Sequence, residues 1–155
     1  MKRLQDNVTI ITGGGKGIGF GLASAFAKEG SNLVITGRNE ARLLEAKKKL
    51  EEGYGVKVLA LVADGADEVK IKEVIAKTVD TFGKINTLIN NAQTSKSGLS
   101  LIEHTKEDFD LAINSGLYAT FFYMKEAFPY LKESKGSVIN FASGAGLFGK
   151  LGQSS

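Results

Sequence analysis

Five of the eight residues from Thr12 to Gly19 are glycine, and this run directly follows the short apolar segment Val8–Ile11. A tight turn between a strand and a helix needs backbone angles that a Cβ atom forbids, and glycine also lets backbone amides approach an anion closely. The free N–H groups and the dipole at the start of the following helix favour a diphosphate. The run therefore predicts a dinucleotide site; the alternative is a glycine-rich turn that binds no ligand. The predicted diphosphate-binding residues are Gly13, Gly14, Gly15, Lys16, Gly17, Ile18 and Gly19.

The spacing of these glycines narrows the class of site. Gly13, Gly17 and Gly19 follow the pattern Gly-x-x-x-Gly-x-Gly, whereas a Rossmann dehydrogenase commonly carries Gly-x-Gly-x-x-Gly. The Gly-Lys-Ser/Thr ending of a P-loop is missing, because Lys16 is followed by Gly17. The run thus differs from both of these phosphate-binding motifs, and its place between a strand and a helix still favours a dinucleotide.

A cation stands at the position where the adenosine ribose of such a cofactor is recognised. In NAD-binding proteins an acidic residue about 20 residues past the glycines accepts a hydrogen bond from the ribose 2′-hydroxyl. This chain has Gly37-Arg38-Asn39 there, at the end of the second predicted strand. A guanidinium cannot accept a hydrogen bond but pairs well with a phosphate, and Lys16 is a second cation nearby. The two cations predict NADP rather than NAD, unless Arg38 is an ordinary surface residue.

Short β-branched runs alternate with longer segments of helical periodicity, and these elements must position the glycine turn. The alternation predicts an α/β fold of Rossmann type, a doubly wound parallel sheet with helices on both faces. One dinucleotide-binding domain is expected over residues 1–155, as the N-terminal part of a longer fold. The predicted strands are Val8–Ile11, Asn32–Thr36, Val56–Val62, Ile85–Ile89 and Ser137–Phe141. The first predicted helix follows the glycine turn and ends near Gly30. The other three cover Glu40–Glu52, Asp67–Phe82 and Thr105–Leu131, and Pro129 lies in the final turn of the last one.

The apolar spacing also predicts one face for each helix. Ile18, Leu22 and Phe26 form one stripe in the first helix. The second helix is expected to bury Leu43, Leu44 and Leu50, and the third Ile71, Ile75, Val79 and Phe82. The fourth is apolar nearly all round, which predicts either a subunit interface or a deeply buried helix. Its apolar residues are Leu117, Phe121, Phe122, Tyr123, Met124, Phe128 and Leu131.

Composition excludes several other classes of function. The 155 residues include 20 basic and 17 acidic ones, interleaved along the chain, and this pattern does not indicate nucleic-acid binding. There is no cysteine and one histidine, His104, so no metal site is expected and His104 is interpreted as a solvated loop residue. No apolar stretch has the length of a signal peptide or a membrane span. The expected location is the cytoplasm.

The motif Thr12-Gly13-x-x-x-Gly17-x-Gly19 resembles the cofactor motif of the short-chain dehydrogenase/reductase family, and the resemblance continues along the whole chain. It implies that Asp64 and Gly65 flank the adenine, although the family usually has an apolar residue where Gly65 stands. Asn90-Asn91-Ala92-Gln93 is similar to the family's Asn-Asn-Ala-Gly, with Gln93 as a departure. The resemblance places Asn91 and Ala92 along the cofactor ribose and gives Asn90 a role in bracing the sheet.

The same resemblance implies part of a reaction centre for reducing a carbonyl. Ser143 matches the family's serine after the fifth strand, and Asn114 matches the asparagine of the long helix, which supports a water chain to a lysine. The family's tyrosine lies thirteen residues past the serine, one position beyond Ser155, and its lysine follows four residues later. We therefore expect this chain alone to be inactive by the family mechanism.

Within the family, the segments around Gln93, Ser115–Phe121 and Asn140–Gly146 look most like bile-acid 12α-hydroxysteroid dehydrogenases. That likeness implies NADP-linked interconversion of a secondary alcohol and a ketone on a steroid, while other family members act on sugars, acyl thioesters and small ketones. It also implies a homodimer or homotetramer built through the long helix. A non-catalytic NADP-binding fragment or a redox-sensing regulator is the alternative function.

Overall fold

The glycine turn lies at the carboxyl end of the central strand of a five-stranded parallel sheet. A computed structural model describes residues 2–148, so the polar tail 149–155 lies outside the described residues. The strands are β1 (Val8–Thr12), β2 (Asn32–Gly37), β3 (Val58–Val62), β4 (Thr87–Asn90) and β5 (Ser137–Asn140). Their spatial order is β3-β2-β1-β4-β5, and every pairing is parallel. This confirms the predicted doubly wound α/β fold.

Helices cover both faces of the sheet, as parallel strands require. The helices are α1 (Gly17–Lys28), α2 (Glu40–Tyr54), α3 (Glu68–Phe82), α4 (Lys106–Ala112) and α5 (Ala119–Ser134). One core cluster joins α1 and α2 to the sheet through residues such as Ile11 and Ile35. The other joins α3 and α5 through residues such as Ile10 and Leu88. Successive side chains of the central strand β1 thus pack into two separate cores, one on each face of the sheet.

The long helix predicted over Thr105–Leu131 is interrupted. A π-helical segment, Ile113–Tyr118, separates α4 from α5, and α5 continues past Pro129 to Ser134. The last turn is held from outside the helix, because the Ser134 hydroxyl donates to the carbonyl of Ile85 at 2.6 Å. Single turns of π-helix occur often beside functional sites, and this one lies next to the carboxyl edge of the sheet.

Two residues of the predicted apolar helix faces are on the surface. Ile18 is 67% exposed and Leu44 53% exposed. The interior face of α2 consists instead of Leu43, Ala46 and Leu50, which recur at helical spacing while position 44 lies further round the helix. The predicted Ile71 and Ile75 of α3 are buried, with Val79 and Phe82 packed against the same core.

The face of α1 nearest the sheet is made of small residues rather than of the predicted apolar stripe. Gly19, Ala23 and Ala27 are buried, whereas Leu22 and Phe26 are only partly so. A Cβ atom on Gly19 would lie 2.2 Å from the carbonyl oxygen of Gly13. The close approach of α1 to β1 therefore depends on the absence of a side chain at position 19.

Gly21, two residues further along α1, provides a matched comparison, because a Cβ atom there would meet nothing within 4 Å. We expect Gly19→Ala to lower the free energy of unfolding by about 1–3 kcal/mol through overpacking. Gly21→Ala should raise it by about 0.5–1 kcal/mol, because alanine favours a helix interior. Urea unfolding followed by circular dichroism measures both, and equal effects at the two positions would contradict this account of α1 packing.

Candidate functional site

A cavity of about 790 Å³ opens at the carboxyl ends of β1, β2 and β4. The strand order reverses at β1, which has β2 on one side and β4 on the other. In open α/β sheets, ligands bind in the crevice outside the strand ends at such a reversal. The cavity is lined by the glycine turn, the β2–α2 connection, the residues after β3 and β4, and part of the π segment and α5.

Six of the seven residues predicted to bind the diphosphate line this cavity. Gly13 and Gly17 have φ angles of 69° and 53°, which explains why glycine is needed at these two positions. The exception is Gly14, whose backbone N–H donates to the carbonyl of Thr36 at 3.1 Å. A Cβ atom on Gly14 would lie 2.7 Å from Cγ2 of Ile35, so this residue holds the turn against β2. The lining residues are Gly13, Gly15, Lys16, Gly17, Ile18 and Gly19.

The start of α1 faces the cavity without a side-chain cap. Lys16 is the N-cap residue, its backbone is extended, and no side chain accepts a hydrogen bond from the first helical N–H groups. The first N–H groups of a helix have no partner within the helix, and the helix dipole adds partial positive charge there. The arrangement suits an anion such as a diphosphate.

The hydroxyl of Thr12 connects the end of β1 to the segment after β4. Its Oγ1 accepts hydrogen bonds from the backbone N–H groups of Asn91 at 3.0 Å and Ala92 at 2.9 Å. The side-chain amide of Asn91 donates to the Thr12 carbonyl at 3.0 Å. A Cβ atom on Gly13 would lie 3.1 Å from that amide nitrogen. The structure thus brings Asn91 and Ala92 directly beside the glycine turn, and both line the cavity.

Asn90 links β4 to β5, in agreement with its predicted bracing role. Its side-chain amide donates to Oδ1 of Asn140 at 2.8 Å. Its own Oδ1 is buried and has no hydrogen-bond partner among residues 2–148. Asn90 lines the cavity, and a buried acceptor without a partner costs free energy. A hydroxyl donor such as a ribose would satisfy it, so the polar groups present fit a dinucleotide.

Three cations line the cavity at and beside the turn: Lys16, Arg38 and Arg42. Within residues 2–148 none of the three forms an ion pair, and Asp64 is the one acidic residue in the lining. Arg42 is not among the residues predicted from the sequence. The sequence signal for it is Asn39, because asparagine is a preferred N-cap residue. Asn39 does cap α2 by accepting a hydrogen bond from the Arg42 N–H, which places position 42 in the first turn.

Asp64 and Gly65 lie at the predicted position after β3, and both line the cavity. The carboxylate of Asp64 accepts a hydrogen bond from the N–H of Ala66 at 3.0 Å, which shapes the turn. A Cβ atom on Gly65 would lie 2.8 Å from the Cβ of Ala119. The departure from the family's apolar residue therefore has a steric reason, which is the close passage of α5.

The two predicted catalytic residues are not brought into the cavity. Ser143 is exposed just after β5, where its carbonyl accepts a bond from the N–H of Gly146. Asn114 lies in the π segment and is exposed. Its neighbour Ser115 lines the cavity instead, as do Gln93 and Thr94. Regular helical periodicity does not predict Ser115 at the cavity, because the π segment changes which residues of the long helix face inward.

Two further side chains, Tyr123 and His104, are shielded from solvent to different degrees. Tyr123 is buried and lines the cavity, and its hydroxyl donates to Oγ1 of Thr36 at 3.4 Å. Burial raises the pKa of this phenol to about 12, and the bond to Thr36 partly opposes the shift. His104, interpreted above as solvated, is half-buried, and neither ring nitrogen has a hydrogen-bond partner in the described part of the chain.

No helix within residues 2–148 combines the length and the apolar character needed to cross a membrane. In the same range, no three histidine or acidic side chains come together in a way that could hold a metal ion.

The sequence profile of the short chain dehydrogenase family matches residues 7–155. The chain is 60% identical over 154 residues to a 12α-hydroxysteroid dehydrogenase from Clostridium sp., covering 96% of this chain and 60% of that relative. The NAD⁺-bound structure of a xylitol dehydrogenase has a TM-score of 0.92 at 26% identity, covering 97% of this chain and 58% of the other. An L-sorbose reductase from Gluconobacter frateurii, complexed with NADPH and L-sorbose, has a TM-score of 0.87 at 30% identity, covering 92% and 55%.

The chain thus spans about three fifths of the length of the relatives that it matches. Over that length the fold also agrees with that of the solved relatives. The protein therefore belongs to the short chain dehydrogenase family.

Proposed function

We propose that this chain is the cofactor-binding part of an NADP-dependent oxidoreductase that interconverts a secondary alcohol and a ketone. The observation that carries the proposal is the cavity itself, which joins an uncapped helix start to three cations without an ion-pair partner in residues 2–148. The bound nicotinamide would donate or accept the hydride. The chain's own residues would bind the diphosphate and the adenosine, and hold the cofactor against the sheet edge.

The choice of NADP rests on Lys16, Arg38 and Arg42. A 2′-phosphate adds negative charge to the adenosine ribose, and a guanidinium offers several donors in a fixed plane to such a group. Solved relatives with the same fold hold either NAD⁺ or NADPH, so fold alone does not choose between them. The charge of the cavity lining, three cations against one carboxylate, is what favours the phosphorylated cofactor.

Ser143 and Asn114 keep the roles that the family pattern implies, as part of the proposal. The Ser143 hydroxyl would donate a hydrogen bond to the substrate oxygen and so stabilise charge as an alkoxide develops. Asn114 would support a water chain for proton transfer. The family pattern would place its tyrosine and lysine after position 155, so activity is tested on the protein as its gene encodes it.

For the substrate we propose a steroid or bile-acid hydroxyl group. The support is the 60% identity to a relative named as a 12α-hydroxysteroid dehydrogenase. The oligomer is also a proposal: Leu117, Phe121 and Phe128 are each more than half exposed, and Phe121 and Phe128 line a groove of about 530 Å³. Exposed apolar surface of this kind is typical of an interface, and we propose a homodimer or homotetramer.

Cofactor preference is tested with fluorescence titrations of NADPH and NADH. We expect the wild-type protein to bind NADPH at least about tenfold more tightly, because the 2′-phosphate gains charge-assisted bonds. Arg38→Asp should reverse the preference, since a carboxylate repels the phosphate and accepts a bond from a ribose hydroxyl. Lys48→Asp, on the solvent side of α2, is the matched control for the change of charge. Equal wild-type affinity for the two cofactors would contradict the assignment.

Substrate class is tested on the complete gene product. We expect NADP⁺ reduction, measured at the NADPH absorbance, with a 12α-hydroxy bile acid and not with its 12-oxo form. Xylitol and a small secondary alcohol serve as controls for the other substrates found in the family. Turnover of those and none of the bile acid would overturn the steroid proposal, and cofactor binding with no turnover of any alcohol would support the non-catalytic alternative.

Assembly is tested by size-exclusion chromatography with light scattering on the complete gene product. We expect a mass of two or four chains, because the exposed apolar side chains of α5 lose contact with water in an assembly. Phe128→Glu should lower the oligomer fraction, whereas Glu133→Gln, elsewhere on the same helix, should leave it unchanged. A strict monomer would rule out the oligomer.

A further inference from the structure

Arg38 contacts a residue from the opposite side of the cavity. Its Nη2 donates a hydrogen bond to the hydroxyl of Thr94 at 3.0 Å. Arg38 follows β2 and Thr94 follows β4, and these two strands flank the central strand β1. The bond therefore crosses the crevice at the strand reversal, between positions that are 56 residues apart in the chain.

Thr94 is itself held in place by the π segment. Its backbone N–H donates to Oγ of Ser115 at 2.9 Å. That same oxygen lies 2.8 Å from the carbonyl of Thr94 and 2.7 Å from the carbonyl of Leu111, and its single proton is donated to one of the two at a time. The acceptor for Arg38 is thus fixed by a helix rather than carried by a free loop.

The contact fixes the guanidinium without neutralising it. A threonine hydroxyl carries no charge, and within residues 2–148 Arg38 has no carboxylate partner. A guanidinium has five N–H donors, so the bond to Thr94 leaves the others available. A carboxylate at position 94 would hold Arg38 equally well but would compete with an incoming phosphate.

From these contacts we propose that Thr94 is a positioning residue that sets the cofactor preference by holding Arg38 over the cavity for the 2′-phosphate. The inference rests on the proposed NADP function. An arginine side chain loses rotamer freedom when it binds a ligand, and a side chain that is already ordered loses less. The smaller entropy loss improves the affinity only for a ligand that contacts the guanidinium. It would therefore strengthen the binding of NADPH and not that of NADH.

The test is Thr94→Val in the complete protein, because valine keeps the branched shape and removes the acceptor. We expect the Kd for NADPH to rise by about three- to tenfold, the effect of one hydrogen bond, while the Kd for NADH changes by less than about twofold. The separate variant Thr94→Ser, which keeps the hydroxyl, should retain most of the wild-type affinity for NADPH. In an Arg38→Ala background, Thr94→Val should add no further loss for NADPH.

The possible outcomes separate this inference from the proposed function. If the wild-type protein does not prefer NADPH, the proposed function fails and the role of Thr94 with it. If it does prefer NADPH but Thr94→Val leaves that preference unchanged, only the inference fails. An equal loss for both cofactors would show a structural role, and tighter NADPH binding would show that the contact competes with the phosphate; either result overturns the proposal. Should Thr94→Val unfold, Thr94→Ala with the same Arg38→Ala background gives the same comparison.

Discussion

The hydroxyl of Thr12 lies at the carboxyl end of the central strand, and the geometry of the site depends on its hydrogen bonds. It accepts from two successive backbone N–H groups after β4, while the Thr12 carbonyl accepts from the Asn91 side chain. The residue that ends β1 also begins the glycine turn, so the turn and the β4 segment are positioned together. The buried position of Thr12 keeps these bonds away from competing water.

Close packing extends this constraint to both sides of the sheet. On one face, α1 approaches the turn through Gly19, where any side chain would collide with the Gly13 backbone. On the other, α5 passes so near the segment after β3 that Gly65 has room for no more than a hydrogen atom toward Ala119. Glycine is needed at these two positions because the neighbouring elements pack too closely for a side chain, not because the backbone needs unusual φ angles there. Some residues that line the cavity, such as Leu43 and Tyr123, also belong to the two cores.

The charges of the site are arranged around that rigid frame. The N–H groups at the start of α1 are held in place by the turn. Lys16, Arg38 and Arg42 are long side chains, and a bound phosphate would have to order them. One of them, Arg38, donates a hydrogen bond to the Thr94 hydroxyl, and the backbone N–H of Thr94 is in turn bonded to Ser115. Under the proposed NADP function, binding of the 2′-phosphate would depend on contacts between three separate segments of the chain. Ser143 and Asn114 stand outside this frame, in exposed positions near its edge.

The amino-acid sequence by itself determined the five strands, the four principal helical regions and the glycine turn, because periodicity and glycine spacing are local properties of the chain. It also located Arg38, Asp64, Asn91 and Ala92 at strand ends, and parallel strands bring such ends to one edge. Only the tertiary structure decided that Gly14 faces β2, that Leu44 and Ile18 are exposed, and that Ser115 rather than Asn114 faces the cavity. The positions of Gly14 and Ile18 depend on how the glycine turn and α1 pack on the sheet, and that of Ser115 depends on the π segment within the long helix. Leu44 is exposed because it lies further round α2 than the buried Leu43, Ala46 and Leu50. The bond between Arg38 and Thr94 could not be predicted from spacing, because the strand order, not the sequence separation, sets the distance between two side chains.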